Sequence, residues 1–312
     1  MIKLKYLGSI ASLLLFASAV AANDFKVIGY SMNPASEIVQ QHAATYITDL
    51  IYFSIEPNPD GTLATERLTP EGLAATKAMA QNHGIRIYLA VGGWGRSTHF
   101  AEVAATADSR ARFINNMIAL CQRHGFEGID LDWEFPEGKS QYEDYATLLV
   151  ETKAAFAQHD LVLSAALSPW QKLNPKAYKA LDRVHLMAYD FPQKHSTFDD
   201  STNAVRTFLS LNIPKKKLYF GVPFYGRNID ERNKSITYNS LVTQHDLTPD
   251  TDEVDRFYFN GPTTIRRKVD FARQQQLAGI MIWEIGQDST GKNSLLKAIH
   301  KSLSQKTRDA KR

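Results

Sequence analysis

The chain has 312 residues, 44% hydrophobic and 22% charged, with a formal net charge of +3. This composition fits one or two folded domains, and the mild, scattered basic charge argues against a nucleic-acid partner. Only the stretch 301–312 concentrates basic residues, and it reads as a solvated end.

Residues 1–22 read as an export signal. Lys3 and Lys5 make a basic start, the apolar run 10–20 is too short to favour a membrane span, and Ala19 and Ala21 supply the small residues of a cleavage site. Cleavage is expected after Ala21 or Ala22, giving a secreted or periplasmic protein without stable membrane insertion. The expected organisation is a signal at 1–22, a catalytic domain over 23–304 and a basic tail over 305–312. A single cysteine, Cys121, rules out an internal disulfide framework, so stability must come from one large core. Cys121 lies in an amphipathic stretch and reads as a small buried apolar residue.

Eight short runs rich in β-branched or aromatic residues are predicted as strands: 26–31, 50–55, 85–92, 128–134, 161–167, 184–190, 218–224 and 279–284. Helical patterns follow them, among them 71–82, 109–124, 142–158, 264–275 and 294–303, with a short one near 37–44 in the first unit. The alternation predicts a parallel sheet with crossover helices, and eight units predict an α/β fold of the closed (β/α)8 TIM-barrel type. A doubly wound sheet is the rival, but Gly92, Gly93 and Gly95 match neither dinucleotide-binding nor P-loop spacing. The longest connection, 226–262, separates the last two strands and has room for loops and a short element. No large α/β insertion is expected there.

The informative segment runs from Phe126 to Pro136. Side chains on a strand alternate faces, so Asp130, Asp132 and Glu134 share one face while Ile129, Leu131, Trp133 and Phe135 share the other. The apolar set belongs under the helices, which turns the carboxylates inward. Glu134 comes last, at the carboxyl end of its strand, where barrels place their chemistry. Burial and mutual repulsion disfavour three anions, so at least one acid should hold a proton at neutral pH. A metal site is the alternative, yet this is a hydrophobic strand without the turn of a calcium loop, and the histidines lack ligand spacing. His185 and His124 read as satisfied by ordinary contacts.

The same segment resembles the D-G-x-D-x-D-x-E signature of glycoside hydrolase family 18, the chitinase family. It matches at Gly128, Asp130, Asp132 and Glu134 and departs at Glu127, where the family has Asp. Further fragments resemble the family in order: Val27 to Tyr30, Ile51 to Ser54, Ala90 to Trp94, Met187 to Asp190, Gly221 to Arg227, and Ile280 to Glu284. Ala90 stands where the family carries a serine whose hydroxyl, with Tyr30, is expected to bond Asp130. Its loss leaves a buried carboxyl short of one partner, so a shifted pH profile is expected.

The resemblance implies a single-domain, bacterial-type enzyme, endo-acting and retaining, on chitin or N-acetylglucosamine oligosaccharides. No cofactor and no metal are implied, and a monomer is expected. Most retaining glycosidases use a carboxylate nucleophile, whereas this family uses the acetamido oxygen of its own substrate. The resemblance makes Glu134 the proton donor and then the base, Asp132 the group that orients the acetamide, Asp130 its proton-sharing partner and Tyr189 a donor to the acetamide oxygen. It also implies substrate contacts from Asp190, Met187, Trp283 and Trp94, and from Tyr225, Arg227, Tyr30 and Phe53. Tyr225 and Arg227 have a second reading, as residues that position Asp190. Trp133 is read as core, and Trp170 as exposed or lining the cleft. Without a large insertion, an open, shallow groove is expected. Alternatives within reach of the same motif are an endo-β-N-acetylglucosaminidase acting on N-glycans, a cell-wall glycosidase and a non-catalytic chitin-binding lectin; the presence of Glu134 argues against the last.

Overall fold

The computed structural model describes residues 25–309. The expected export signal lies outside the described residues, as do positions 310–312 of the basic tail. Eight parallel strands close into a barrel: β1 (Lys26–Ser31), β2 (Asp49–Pro57), β3 (Arg86–Gly92), β4 (Gly128–Asp132), β5 (Val162–Leu167), β6 (Arg183–Leu186), β7 (Leu218–Pro223) and β8 (Gly279–Trp283). β1 closes the ring, with Val27 opposite Ile280 of β8 and Tyr30 opposite Ile51 of β2. Every predicted strand is present. β4 and β6 end earlier than expected, because Glu134 and Asp190 lie on chain that has already left the sheet. Asp190 has φ 62°, which a strand cannot hold.

The helices that cover the barrel are α1 (Pro70–His83), α2 (Ala107–His124), α3 (Gly138–Phe156), α4 (Pro175–Ala180), α5 (Phe198–Ser210), α6 (Pro262–Gln274) and α7 (Leu295–Asp309). Their starts are written locally. Thr69, Thr106, Asn174 and Thr197 each accept a backbone N–H of the first turn of α1, α2, α4 and α5. The first crossover is not an α-helix. A π-type turn, Ile38–His42, runs into a 3-10 turn, Ala43–Thr45, with no side-chain cap at Glu37 and two β-branched residues at its start.

The period-two alternation divides the apolar side chains into two cores. Ile129, Leu131 and Trp133 pack outward with the helices, Trp133 stacked on Phe100 at 5.3 Å. Tyr30, Phe53, Tyr88, Ala90, Met187 and Met281 fill the inside of the barrel. At the amino-terminal end of the ring, buried Asp49 binds Arg86 and Arg183, each at 2.9 Å, and Arg183 also donates to Tyr88. Cys121 is buried, as expected.

The connection between β7 and β8 is more built than the sequence indicated. Tyr225–Asn228, Ser235–Thr237, Glu253–Val254 and Phe257–Tyr258 form a four-stranded antiparallel sheet, with a helix at Tyr238–Gln244. Among the described residues no helix is long and apolar enough to cross a membrane, and no group of three or more His, Cys, Asp or Glu could hold a metal ion.

Candidate active site

A cleft of about 790 Å³ opens at the carboxyl ends of the strands. It gathers Glu134, Asp132, Tyr189, Asp190, Met187, Trp283, Trp94, Tyr225, Arg227, Tyr30 and Phe53, so every expected site residue but one lines it. The exception, Asp130, lies fully buried beneath the floor. Glu127 sits at the opposite end of the strand and is exposed.

The end of β4 is held by close backbone contact with β3. Gly93 N–H donates to the Asp132 carbonyl at 2.6 Å. Both Gly92 and Gly93 have φ near +97°, and a Cβ at Gly93 would stand 2.3 Å from the Phe53 ring. Ser97, which the sequence reading missed, completes the grip: its hydroxyl donates to the Asp132 carbonyl and accepts from the Glu134 N–H, each at 3.0 Å.

The three acids meet different fields. Burial pushes the Asp132 carboxyl well above its ordinary value, and repulsion from Glu134 and Asp130 adds to this; its Oδ1 is buried without a partner. Burial, then repulsion from Asp190, raises Glu134 to about 7, against which a backbone N–H from Trp94 pulls down. Asp130 differs. Burial pushes it up, but the His185 ring and hydrogen bonds from His185, Ser164 and Tyr30 outweigh that and hold it below its ordinary value. Tyr30 Oη donates to Oδ2 at 2.6 Å, Ser164 Oγ to Oδ1 at 2.5 Å, and His185 Nδ1 lies 3.0 Å from Oδ1.

This corrects the expectation drawn from Ala90. In the sheet Asp130 faces Ala90 on one side and Ser164 on the other, so a hydroxyl arrives from β5 where β3 offers none. His185 likewise does more than pack in the core: its Nδ1 faces Asp130 and Tyr30, and its Nε2 is buried without a partner. Phe135 is a second correction. Alternation put it under the helices, but β4 has ended by then, and its ring lines the cleft 5.5 Å from Trp170. Trp170 and Trp94 are 55% and 79% exposed on the rim, which resolves Trp170 as a lining residue.

Asp190 is held from several sides. Tyr225 Oη donates to it at 2.8 Å, Arg227 clasps both oxygens through Nε and Nη2, and His195 Nδ1 lies 3.4 Å away. Burial would raise this carboxyl, but the close approach of His195 and the bonds and charge of Arg227 hold it well below the usual range. Tyr225 and Arg227 thus position Asp190. Tyr189, its hydroxyl kept protonated chiefly by burial and 3.9 Å from the Met281 sulfur, lines the same cleft. Trp283 forms a wall, its ring 4.4 Å from Phe53 and 5.9 Å from Tyr30. Ser235, Ile236 and Thr237 of the small sheet between β7 and β8, with Arg232 and Asn233 of the turn before them, also line the cleft. The expectation of a groove without a wall there is therefore corrected. Strands of two to four residues carry too little pattern to be seen in sequence.

Two carboxyl groups pushed toward the protonated form, beside a clasped carboxylate and aromatic walls at the mouth of a (β/α)8 barrel, are the equipment of a glycoside hydrolase. The model of glycosyl hydrolases family 18 matches residues 26–288. The chain is 24% identical to Chitinase 1 of Aphanocladium album, over 92% of this chain and 85% of that one. It is 27% identical to Probable chitinase 10 of Drosophila melanogaster over 72% of this chain, which spans only 13% of that much longer protein. The structure of the family 18 chitinase ChiB from the chitin utilization locus of Flavobacterium johnsoniae superposes with a TM-score of 0.79 at 28% identity, covering 90% of this chain and 94% of that one. The chain belongs to glycosyl hydrolases family 18 and is a chitinase-type glycoside hydrolase.

Proposed function

We propose that the protein cleaves β-1,4-linked N-acetylglucosamine polymers such as chitin by substrate-assisted, retaining hydrolysis. One observation carries this reading. The carboxyl groups lining the cleft are Asp132, Glu134 and Asp190. The first two favour the protonated form, and the third is clasped by Arg227, Tyr225 and His195. Asp190 is committed to the groups that clasp it and the other two are pushed toward the protonated form, which supports a nucleophile supplied by the substrate, as family membership implies. A 2-acetamido oxygen fits that need.

Glu134 gives its proton to the glycosidic oxygen as the C1–O bond breaks, and the acetamide oxygen closes on C1. The unpartnered Oδ1 of Asp132 accepts the acetamide N–H, and Tyr189 donates to the acetamide oxygen, so charge on the cyclic oxazolinium is met by fixed dipoles. Asp190 holds the sugar of the cleavage subsite, which rests on Trp283, while Trp94 offers a stacking face beyond it. Glu134, now a carboxylate, takes a proton from water as it opens the ring from the same face. Met187, Tyr30 and Phe53 shape the floor.

We further infer export through the segment 1–22, endo action and a monomeric enzyme. The basic start and short apolar run support export. The test is hydrolysis of fluorogenic chitobiose and chitotriose by the protein and by Glu134→Gln. Turnover by the first and none by the second is expected. Equal hydrolysis of glucose oligomers, which lack the acetamide, would overturn the mechanism.

A further inference from the structure

His185 carries a side chain the mechanism above does not use. It is fully buried inside the barrel on β6, with Nδ1 3.0 Å from Asp130 Oδ1 and 2.8 Å from Tyr30 Oη. Its Nε2 is buried without a partner. The ring meets Tyr219 of β7 edge-on at 5.2 Å and Tyr30 of β1 at 5.9 Å. The other charged or titratable groups nearby are Asp130 of β4 and, two residues earlier on β6, Arg183. The Arg183 guanidinium is bound to Asp49 and lies over the Tyr88 and Tyr219 rings.

The contacts fix the tautomer. A proton on Nε2 would be a buried donor with no acceptor, and it would turn the Nδ1 lone pair against a carboxylate oxygen. A proton on Nδ1 is shared between Asp130 Oδ1 and the phenolic oxygen of Tyr30, whose own hydrogen is committed to Asp130 Oδ2. Asp130 then receives three donors, from β1, β5 and β6. Donors converging from three strands favour the anionic form of that carboxyl.

We propose that His185 is a positioning residue: its Nδ1–H, together with the Ser164 hydroxyl, replaces the donor that Ala90 lacks and keeps Asp130 as the anion beneath Asp132. Resting on the reaction proposed above, this gives the stacked acids a polarity. The innermost one holds the charge, and the protons stay on the two that face the substrate. Asp130 and Asp132 therefore do not share a proton symmetrically.

The first test needs no activity. Nitrogen NMR of the histidine rings in the wild-type protein at neutral pH should show His185 with a proton on Nδ1; a bare Nδ1 overturns the proposal. The second is the pH profile of kcat/KM for His185→Leu. Asp130, with one donor fewer, takes a proton more readily, so the acidic limb should move up by about one pH unit while the basic limb, set by Glu134, stays. Adding Ala90→Ser to His185→Leu should move the limb back. If His185→Leu does not fold, His185→Asn, with a shorter donor, should show a smaller shift in the same direction. Activity lowered by one factor at every pH, with both limbs in place, would show that the ring merely fills space. A wild-type protein inert on every N-acetylglucosamine oligomer would sink the reaction proposed above, while the nitrogen spectrum would still decide the placement of His185.

Discussion

The hydroxyl of Ser97 and the backbone of Glu134 are joined by one hydrogen bond of 3.0 Å, and the same hydroxyl donates to the carbonyl two residues earlier. The acid is thus anchored through its peptide, leaving its carboxyl free to exchange protons. Ser97→Ala removes both contacts and leaves a buried N–H unsatisfied, a loss of about 1–3 kcal/mol. Spent on acid placement, this should lower kcat about tenfold with KM little changed. A KM effect alone would show that Ser97 does not act through Glu134.

Glu134 also links activity to stability. Its carboxyl sits at about 7 in the folded protein against an ordinary 4.5, so between those values the folded state holds a proton that the unfolded state has released. Stability from this group is therefore complete below about pH 4.5 and lost as pH rises toward 7. Glu134→Gln cannot ionise. It should match the wild type in thermal midpoint at acid pH and exceed it above pH 7, by on the order of 2–3 kcal/mol. Activity of the wild type should fall over the upper part of that window, as the acid loses its proton. Melting curves for the two proteins at several pH values check the first statement, and a pH–rate profile the second.

The aromatic residues separate into two kinds. Trp94 and Trp170 are exposed on the rim, so their replacement by Ala should change stability by under about 0.5 kcal/mol. The same changes should raise KM on long oligomers several-fold by removing a stacking face, with little effect on a short fluorogenic substrate. Trp283 is packed on Phe53 and Tyr30, and Trp283→Ala should cut kcat on every substrate and cost about 3 kcal/mol of stability. Chain-length series for the three variants distinguish these outcomes.

Arg227→Lys keeps the charge but loses the two-pronged clasp on Asp190. Asp190, half-buried and beside Glu134, should then swing or take up a proton. A fall of at least tenfold in kcat/KM is expected, with no gain on adding salt. Retention of full activity would mean that Tyr225 and His195 suffice to hold it.

Most of the ring was legible because its strands bury both faces and announce themselves as apolar runs, and because Asp130, Asp132 and Glu134 obey the strand period. What could not be read were contacts between neighbouring strands. Nothing in the order of residues says that Asp130 lies between Ala90 and Ser164, since that is a matter of register. The expected shortage at Asp130 therefore proved unreal, and His185 passed as ordinary core. Phe135 was misplaced for a related reason: alternation holds only while the chain is in the sheet, and β4 stops at Asp132. The wall between β7 and β8 escaped because its strands are too short to show a period.

Asp130 stands on the fourth strand, yet its partners stand on the first, fifth and sixth. Neither half of the molecule owns a complete charge arrangement. A fragment ending after β4 would contain all three acids and still lack Ser164 and His185, and the complementary fragment would contain those two with nothing to hold. If the two pieces were expressed apart, each could regain helices and strands and remain chemically mute, and turnover would return only when they joined. For this protein, catalysis is a report that the circle has been completed.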